Sequence, residues 1–381
     1  MPESSHAQRF LSGRSFGGPG KYIQRAGEMG RLAHHLQPLG KTAFLLVDGC
    51  VIEKMGQAIE RSFAGSGISI RLERFGGECC TEEIERVTAL VRAAKADIVV
   101  GIGGGKTADT AKLAAIANDA RIVIAPTIAS TDAPCSAVAV RYTAQGICEE
   151  ALFLSRNPDL VIVDSAVIAK APVRFLVAGI GDALSTWYEA RSNLDSRSAN
   201  LVQPNLPAPA AAIAIARACH DVLMRDALAA KIAVEKGLLT QAVENIIEAN
   251  TLLSGLGFEN CGVSAAHGIH DGLTVLHGTH GFLHGEKVAF GVLCLLMLEG
   301  RPLIEIEETA RFCAALGLPT RLADLGLADA SPADIGRVAE ASLKPGSSIY
   351  KVAVPLSPEI VRDAILSLDA FTRELTSHAR A

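Results

Sequence analysis

The chain changes its pattern once, near residue 170, and that change limits what it can fold into. Before it, short apolar runs alternate with segments whose apolar residues recur at helical spacing. The runs fall at 41–49 (KTAFLLVDG), 69–75, 97–102 (DIVVGI), 121–125 and 160–163 (LVIV). Helices are predicted at 52–64, 81–94 and 107–118, the second with Thr81 as N-cap and Glu82 and Glu83 in its first turn. Apolar strands alternating with helices make a parallel sheet covered on both faces. After Pro172 nothing strand-like recurs, and Ala- and Leu-rich helical segments fill the remainder around a loop at 195–209. The expected architecture is α/β followed by all-α, with domains at 1–168 and 169–381 and a loose extension at 1–16.

Composition removes several classes of function. Hydrophobic residues make up 49% and charged residues 20%, as in a globular chain with a substantial core. The net charge is −5, with no basic run or aromatic ladder, so nucleic acid is not expected as a partner. The nine cysteines are scattered and never form a C-x-x-C pair, which argues against a disulfide framework or a zinc ribbon. The first 16 residues lack the apolar core of a signal peptide, and the longest clean apolar run, 288–298, is too short to span a bilayer. A cytoplasmic protein without a membrane partner is expected.

Where the third strand gives way to a helix lies GIGGGKTADTAK, residues 101–112. Backbone amides at such a turn, backed by a helix N-terminus, cradle phosphate, and glycine lets the ligand approach. A Walker A loop fails because Val100 stands where glycine is required, and a G-x-G-x-x-G fingerprint fails at Lys106. A diphosphate site of a less common type remains, against a plain tight turn. The loop after the next strand, APTIASTDAPCSAV (125–138), carries Thr127, Ser130, Thr131, Ser136 and Asp132, and loops at carboxyl ends of neighbouring parallel strands face one crevice. Asp132 reads either as an acceptor for a diol or as a turn cap. Asp48, at the end of the first strand, can hold a ribose diol and repel a 2′-phosphate, favouring NAD over NADP, or simply make an Asp-Gly turn.

Five of the ten histidines (His267, His270, His277, His280 and His284) crowd into residues 265–290. If 263–277 is one helix, His267, His270 and His277 share a face within roughly 80°. Gly278 and Gly281 then end it, and the chain can return to set His284 beside His267. Such a gathering suits a metal better than a set of hydrogen-bonded core histidines. Asp182 sits in an apolar helical stretch, 175–191 (FLVAGIGDALSTWYEAR), where a carboxylate is costly unless it is paired, capping or bound to a metal. One Asp with two His suits Zn²⁺ or Fe²⁺.

The ordered motifs GIGGGKTADTAK, PTIASTDAPCSA, GDALSTWYEA, AAHGIHDG and HGEKVAFG strongly resemble the glycerol dehydrogenases of the iron-containing (group III) alcohol dehydrogenase superfamily. The resemblance runs from about Gly18, where GPGKYIQ looks like the family's opening, to about Gly300. It implies a dehydroquinate synthase-like arrangement: a nucleotide domain, a helical metal domain and a cleft between them, in a homo-oligomer that is often an octamer. It implies metal ligation by Asp182, His267 and His284. NAD contacts would fall on Asp48, on Gly104, Gly105, Lys106 and Thr107 with Asp109, and on Thr127, Ser130, Ser136, Val138 and Tyr142; Asp132 would touch the polyol. Iron-using relatives place a fourth ligand, a histidine, four residues beyond the aspartate; here that position is Thr186, which favours Zn²⁺ over Fe²⁺.

The implied reaction is NAD-dependent oxidation of glycerol to dihydroxyacetone, or of a related vicinal diol. Zinc lowers the pKa of the bound secondary hydroxyl so that hydride can pass to the nicotinamide. His270, one turn from His267, is a candidate proton relay, or else a support for the ligands or a merely packed histidine. A sister enzyme acting on an anionic substrate, such as a glycerol-1-phosphate dehydrogenase, would want more basic residues near these motifs than Lys287 and Arg191. A non-catalytic nucleotide- or metal-binding protein would not need a metal with open positions.

Overall fold

The structure is a computed structural model that describes residues 13–203 and 205–378. Of the expected extension, residues 1–12 lie outside the described residues, and 13–16 carry no helix or strand. Among the described residues eight strands occur before Asp164: β1 Tyr22–Gln24, β2 Thr42–Val47, β3 Ser69–Arg74, β4 Ile98–Gly103, β5 Arg121–Pro126, β6 Val138–Tyr142, β7 Cys148–Phe153 and β8 Leu160–Val163. Six form one sheet in the order β1-β8-β5-β4-β2-β3, with every pair parallel. The helices between them are α1 Leu32–Leu36, α2 Gly49–Ser62, α3 Thr81–Ala93 and α4 Gly105–Ala117.

The central strands β2, β4, β5 and β8 are apolar along nearly their whole length because both faces are buried. Ala43, Leu45 and Val47 of β2 pack with Leu32, Leu36 and Ile59, whereas Phe44 and Leu46 pack with Val87, Val91 and Ala111 on the opposite side. Each such leucine or phenylalanine contributes about 1.5–3 kcal/mol by leaving water. From β2 the chain moves outward to β3, and from β4 it moves the other way to β5. The carboxyl ends of β2 and β4 therefore flank the crevice where open α/β sheets take ligands.

Three local expectations change. Thr81 is the first helical residue, not the cap; Cys80 precedes it without a side-chain cap bond, and Glu83 turns back to accept from Gly76 N at 2.8 Å. Helix α4 begins at Gly105, two residues before the predicted start, so the glycine-rich turn itself supplies the first helical amides. β1 and the antiparallel hairpin β6–β7 were not predicted. The hairpin turns at Gly146, whose φ of 80° favours glycine.

After β8 the described residues are helical: α5 Ser165–Ile168, α6 Val173–Asp195, α7 Ala210–Glu235, α8 Gln241–Glu248, α9 Ser254–Cys261 and α10 Ala265–Leu273. They continue with α11 His284–Leu298, α12 Leu303–Leu316, α13 Pro332–Ser342 and α14 Pro358–His378. The loop expected at 195–209 separates α6 from α7. The histidine-rich segment is not one helix to His277. The Thr279 hydroxyl donates to the carbonyls of Leu273 (2.8 Å) and Leu276 (3.0 Å), and the chain turns there. No helix among the described residues is long and apolar enough to cross a membrane.

Candidate active site

Helix α6 is the spine of the site, and two glycines let its neighbours touch its backbone. A Cβ on Gly285 would lie 1.8 Å from the Ala178 carbonyl oxygen, and one on Gly179 would lie 1.9 Å from that of Ala129. Only hydrogen fits at either place. The first contact seats the start of α11, and so His284, against Asp182. The second seats the loop after β5, and the Asp132 backbone N–H donates to Asp182 Oδ2 at 3.3 Å.

Asp182 is fully buried, and its Oδ1 has no hydrogen-bond partner. His284 Nε2 stands 3.2 Å and His267 Nε2 3.8 Å from that oxygen. One ligand atom from each of Asp182, His267 and His284 lies within 4.8 Å of the others. The two imidazoles keep 17% and 34% of their side chains exposed, so the cluster opens on one side. Among the described residues no arginine pairs with Asp182, so its neighbours at that oxygen are the two imidazoles. His277 and His280 lie away from the cluster, exposed, with ring centroids 4.9 Å apart.

The electrostatics ask for positive charge. Burial pushes His267 down, but the Glu189 carboxylate, followed by Asp182 and Asp132, overrides it and raises the imidazole to about 10. Burial would raise Asp182, yet His284 and then His267 hold it below the usual carboxylate range. Asp132 goes the other way, pushed far up by burial and then by Asp182. An orphaned buried oxygen, two imidazole nitrogens and an excess of carboxylates fit a divalent cation.

Around this centre lie His270 and Thr186, both noted in the sequence, and Glu189, Ser254 and Asp271, which were not. Glu189, seven residues beyond Asp182, accepts the His267 Nδ1 hydrogen at 2.7 Å. His270 Nε2 meets His284 Nδ1 at 3.0 Å, and His270 Nδ1 meets Asp271 Oδ1 at 2.9 Å. Burial and then His284 push His270 down to about 3, so it is a neutral imidazole. A π-helical turn over Ala249–Leu253 precedes α9 and directs Ser254, whose hydroxyl donates to Asp132 Oδ2 at 2.8 Å. Thr186, in turn, is hydroxyl-bonded to Ser254 at 2.8 Å. The signal for Glu189 was its 7-residue spacing from Asp182, about 20° from the same helical face.

The second group of predicted residues gathers at the crevice. Gly104 caps α4 without any side-chain acceptor, which leaves the first-turn amides of Gly105, Lys106 and Thr107 for a ligand. A Cβ on Gly103 would meet Thr107 Oγ1 at 2.6 Å and the Asp48 Cβ at 3.0 Å, so Asp48 adjoins this turn. Asp48 also caps α2, accepting from Cys50 N at 2.9 Å. Thr127 bonds back to Gly103 O at 3.0 Å, and a Cβ on Gly105 would lie 3.2 Å from Thr131 Oγ1, placing the loop of Ser130 alongside. Lys106 Nζ sits 2.5 Å from Glu78 and 5.0 Å from the Tyr142 ring centroid.

Three of the expected cofactor contacts have internal tasks. Asp109 is buried, with Oδ1 3.2 Å from Lys112 Nζ and Oδ2 accepting from Val140 N at 3.0 Å. The fully buried Lys112 also donates to Ala133 O (2.6 Å) and to Val138 O (2.8 Å). The Ser136 hydroxyl donates to Ala133 O at 3.3 Å. Together they clamp the loop and hairpin to α4, so Asp109 holds the crevice wall with both oxygens.

The sequence model of the family described as iron-containing alcohol dehydrogenase matches residues 19–165. The glycerol dehydrogenase of Thermotoga maritima is 47% identical over 357 residues, 93% of this chain and 96% of the relative. The crystal structure of a probable glycerol dehydrogenase from Sinorhizobium meliloti 1021 superposes with a TM-score of 0.91 at 66% identity, covering 95% of this chain and 100% of that one. That of the glycerol dehydrogenase from Schizosaccharomyces pombe gives 0.92 at 38% identity, covering 97% and 93%. By sequence and by fold, the chain belongs to the iron-containing alcohol dehydrogenase family, among its glycerol dehydrogenases.

Proposed function

We propose that this protein oxidises glycerol to dihydroxyacetone, and related vicinal diols to hydroxyketones, with NAD as the hydride acceptor. The observation that carries the proposal is the half-open Asp182–His267–His284 cluster with Asp132 beside it. A divalent cation, Zn²⁺ in this reading with Fe²⁺ as the competing ion, would be held by those three side chains and would acidify a hydroxyl presented to it. NAD would be held by the α4 first-turn amides of Gly105, Lys106 and Thr107 and by the loop of Thr127 and Ser130, with Asp48 taking the ribose diol. The crowded turn at Gly103 supports this, since it admits backbone contact and little else.

The chain's own groups then bind and orient. Ser254 fixes one oxygen of Asp132 and leaves the other to accept a second hydroxyl of the substrate, which favours vicinal diols over simple alcohols. With His284 Nε2 turned to the cluster, its Nδ1 carries hydrogen and donates to His270. His270 therefore carries its own hydrogen on Nδ1 and donates to Asp271. His270 thus stands behind a ligand, away from the substrate side, and we assign it to support of His284 rather than direct proton uptake. The same reading divides the chain at 168/169. It also expects a homo-oligomer, up to an octamer, for which the exposed Met224, Leu228 and Ile232 along α7 offer a contact stripe.

The test is NADH formation with glycerol, 1,2-propanediol and 2,3-butanediol on protein stripped of metal and refilled separately with Zn²⁺ and Fe²⁺. Activity on glycerol restored by Zn²⁺ is the expected result. Silence with all three diols would overturn the substrate assignment and turn attention to anionic substrates.

A further inference from the structure

We infer that Glu189 is the positioning residue for His267, fixing at once where its ring sits and which nitrogen it offers. The inference rests on the proposal that Asp182, His267 and His284 hold a divalent cation. Glu189 is 1% exposed and accepts three hydrogen bonds. Oε1 takes the backbone N–H groups of Ser264 (2.7 Å) and His267 (3.0 Å), and Oε2 takes the His267 Nδ1 hydrogen at 2.7 Å. The two backbone donors belong to the start of α10, whose own N-cap residue, Ser264, makes no side-chain cap bond. A carboxylate from α6 thus performs the capping that the local sequence does not.

An ionised carboxylate has acceptors only, so one imidazole hydrogen must sit on Nδ1, which leaves Nε2, on the Asp182 side, as the nitrogen that would give up its proton to the cation. Helix α6 therefore supplies one side of the cluster directly through Asp182 and orients a second member two turns later through Glu189. The segment near residue 350 joins the same arrangement. The Ser348 hydroxyl donates to Ser264 O at 2.8 Å, and burial pushes the Lys351 ammonium down against the opposing pull of the Glu189 carboxylate. His284 is backed differently, by the neutral His270.

Glutamine at position 189 separates the two tasks. Its amide oxygen can still cap α10, but its NH₂ then faces Nδ1, which must accept, and the hydrogen moves to Nε2 where the cation should be. The experiment measures Zn²⁺ affinity by competition with a chromophoric chelator, together with NAD affinity and metal-free melting, for wild type, Glu189→Gln and Glu189→Asp. We expect Zn²⁺ binding about 10- to 100-fold weaker in Glu189→Gln, partial recovery in Glu189→Asp, and unchanged NAD binding. Zn²⁺ affinity within about twofold of wild type in Glu189→Gln, on the scale of that expected loss, overturns the inference. A wild type that binds no Zn²⁺ overturns the metal proposal instead. A readout that needs no variant is proton NMR of the Co²⁺-loaded wild type. A slowly exchanging, metal-shifted Nδ1 hydrogen from His267 is expected, and its absence contradicts the role of Glu189.

Discussion

The crevice at the end of the sheet and the cluster on α6 lie in one molecule but are built by opposite means. At the crevice, backbone would bind the cofactor in the proposed reading, and side chains such as Lys112 and Asp109 work behind the wall to hold loops in place. At the cluster, side chains would hold the cation, and backbone contacts at Gly179 and Gly285 bring them into range. The difference teaches where each site is vulnerable. Damage to a buried ion pair should reach NAD and leave metal alone, and damage to a helix contact should do the reverse.

The largest expected effect comes from Lys112→Met. It strands the buried Asp109 carboxylate and frees the loop and hairpin, costing about 3–5 kcal/mol. Chemical denaturation should show that loss and titration a weaker NAD affinity, with Zn²⁺ content per folded chain unchanged. Gly285→Ala tests the other side. Its methyl must drive α11 off α6 at a cost of about 3 kcal/mol, the upper end for overpacking. Here Zn²⁺ content should fall while NAD affinity holds. If either variant harmed both ligands equally, the two sites would not be independent constructions.

Two gentler changes sharpen the comparison. Ser254→Ala removes the hydroxyl that orients Asp132, and the loss of about 1.4 kcal/mol expected for one such bond corresponds to a KM for glycerol about tenfold higher. The KM for NAD should not move, and steady-state kinetics separates the two. Asp48→Ala should cost about 1 kcal/mol through the lost cap on α2, read from Tm, and should raise the KM for NAD severalfold with glycerol unaffected. An equal rise for glycerol would place Asp48 elsewhere in the reaction.

The centre of the sheet was legible because its strands are buried on both faces and read as unbroken apolar runs, as in FLLV and DIVVGI. The hairpin β6–β7 was not, since β7 is exposed along most of its length and only β6 packs closely on α4. The gathering of Asp182, His267 and His284 was readable from residue type and resemblance. The path between the last two was not: a helical reading carried His277 onto the same face, whereas the Thr279 hydroxyl ends the turn and sends His277 outward. Glu189 went unread for a related reason. In WYEAR an acidic residue looks like the solvent side of a helix, and only the packing of α10 against α6 buries it.

The most direct test of the account measures Zn²⁺ and NAD binding side by side on wild type and Asp182→Asn. Asparagine keeps the shape and the bond from the Asp132 backbone but removes the charge that gathers the two imidazoles. The account predicts one Zn²⁺ per chain in wild type, loss of that Zn²⁺ and of NADH formation in the variant, and NAD affinity unchanged. Full Zn²⁺ occupancy or full turnover in Asp182→Asn would contradict it.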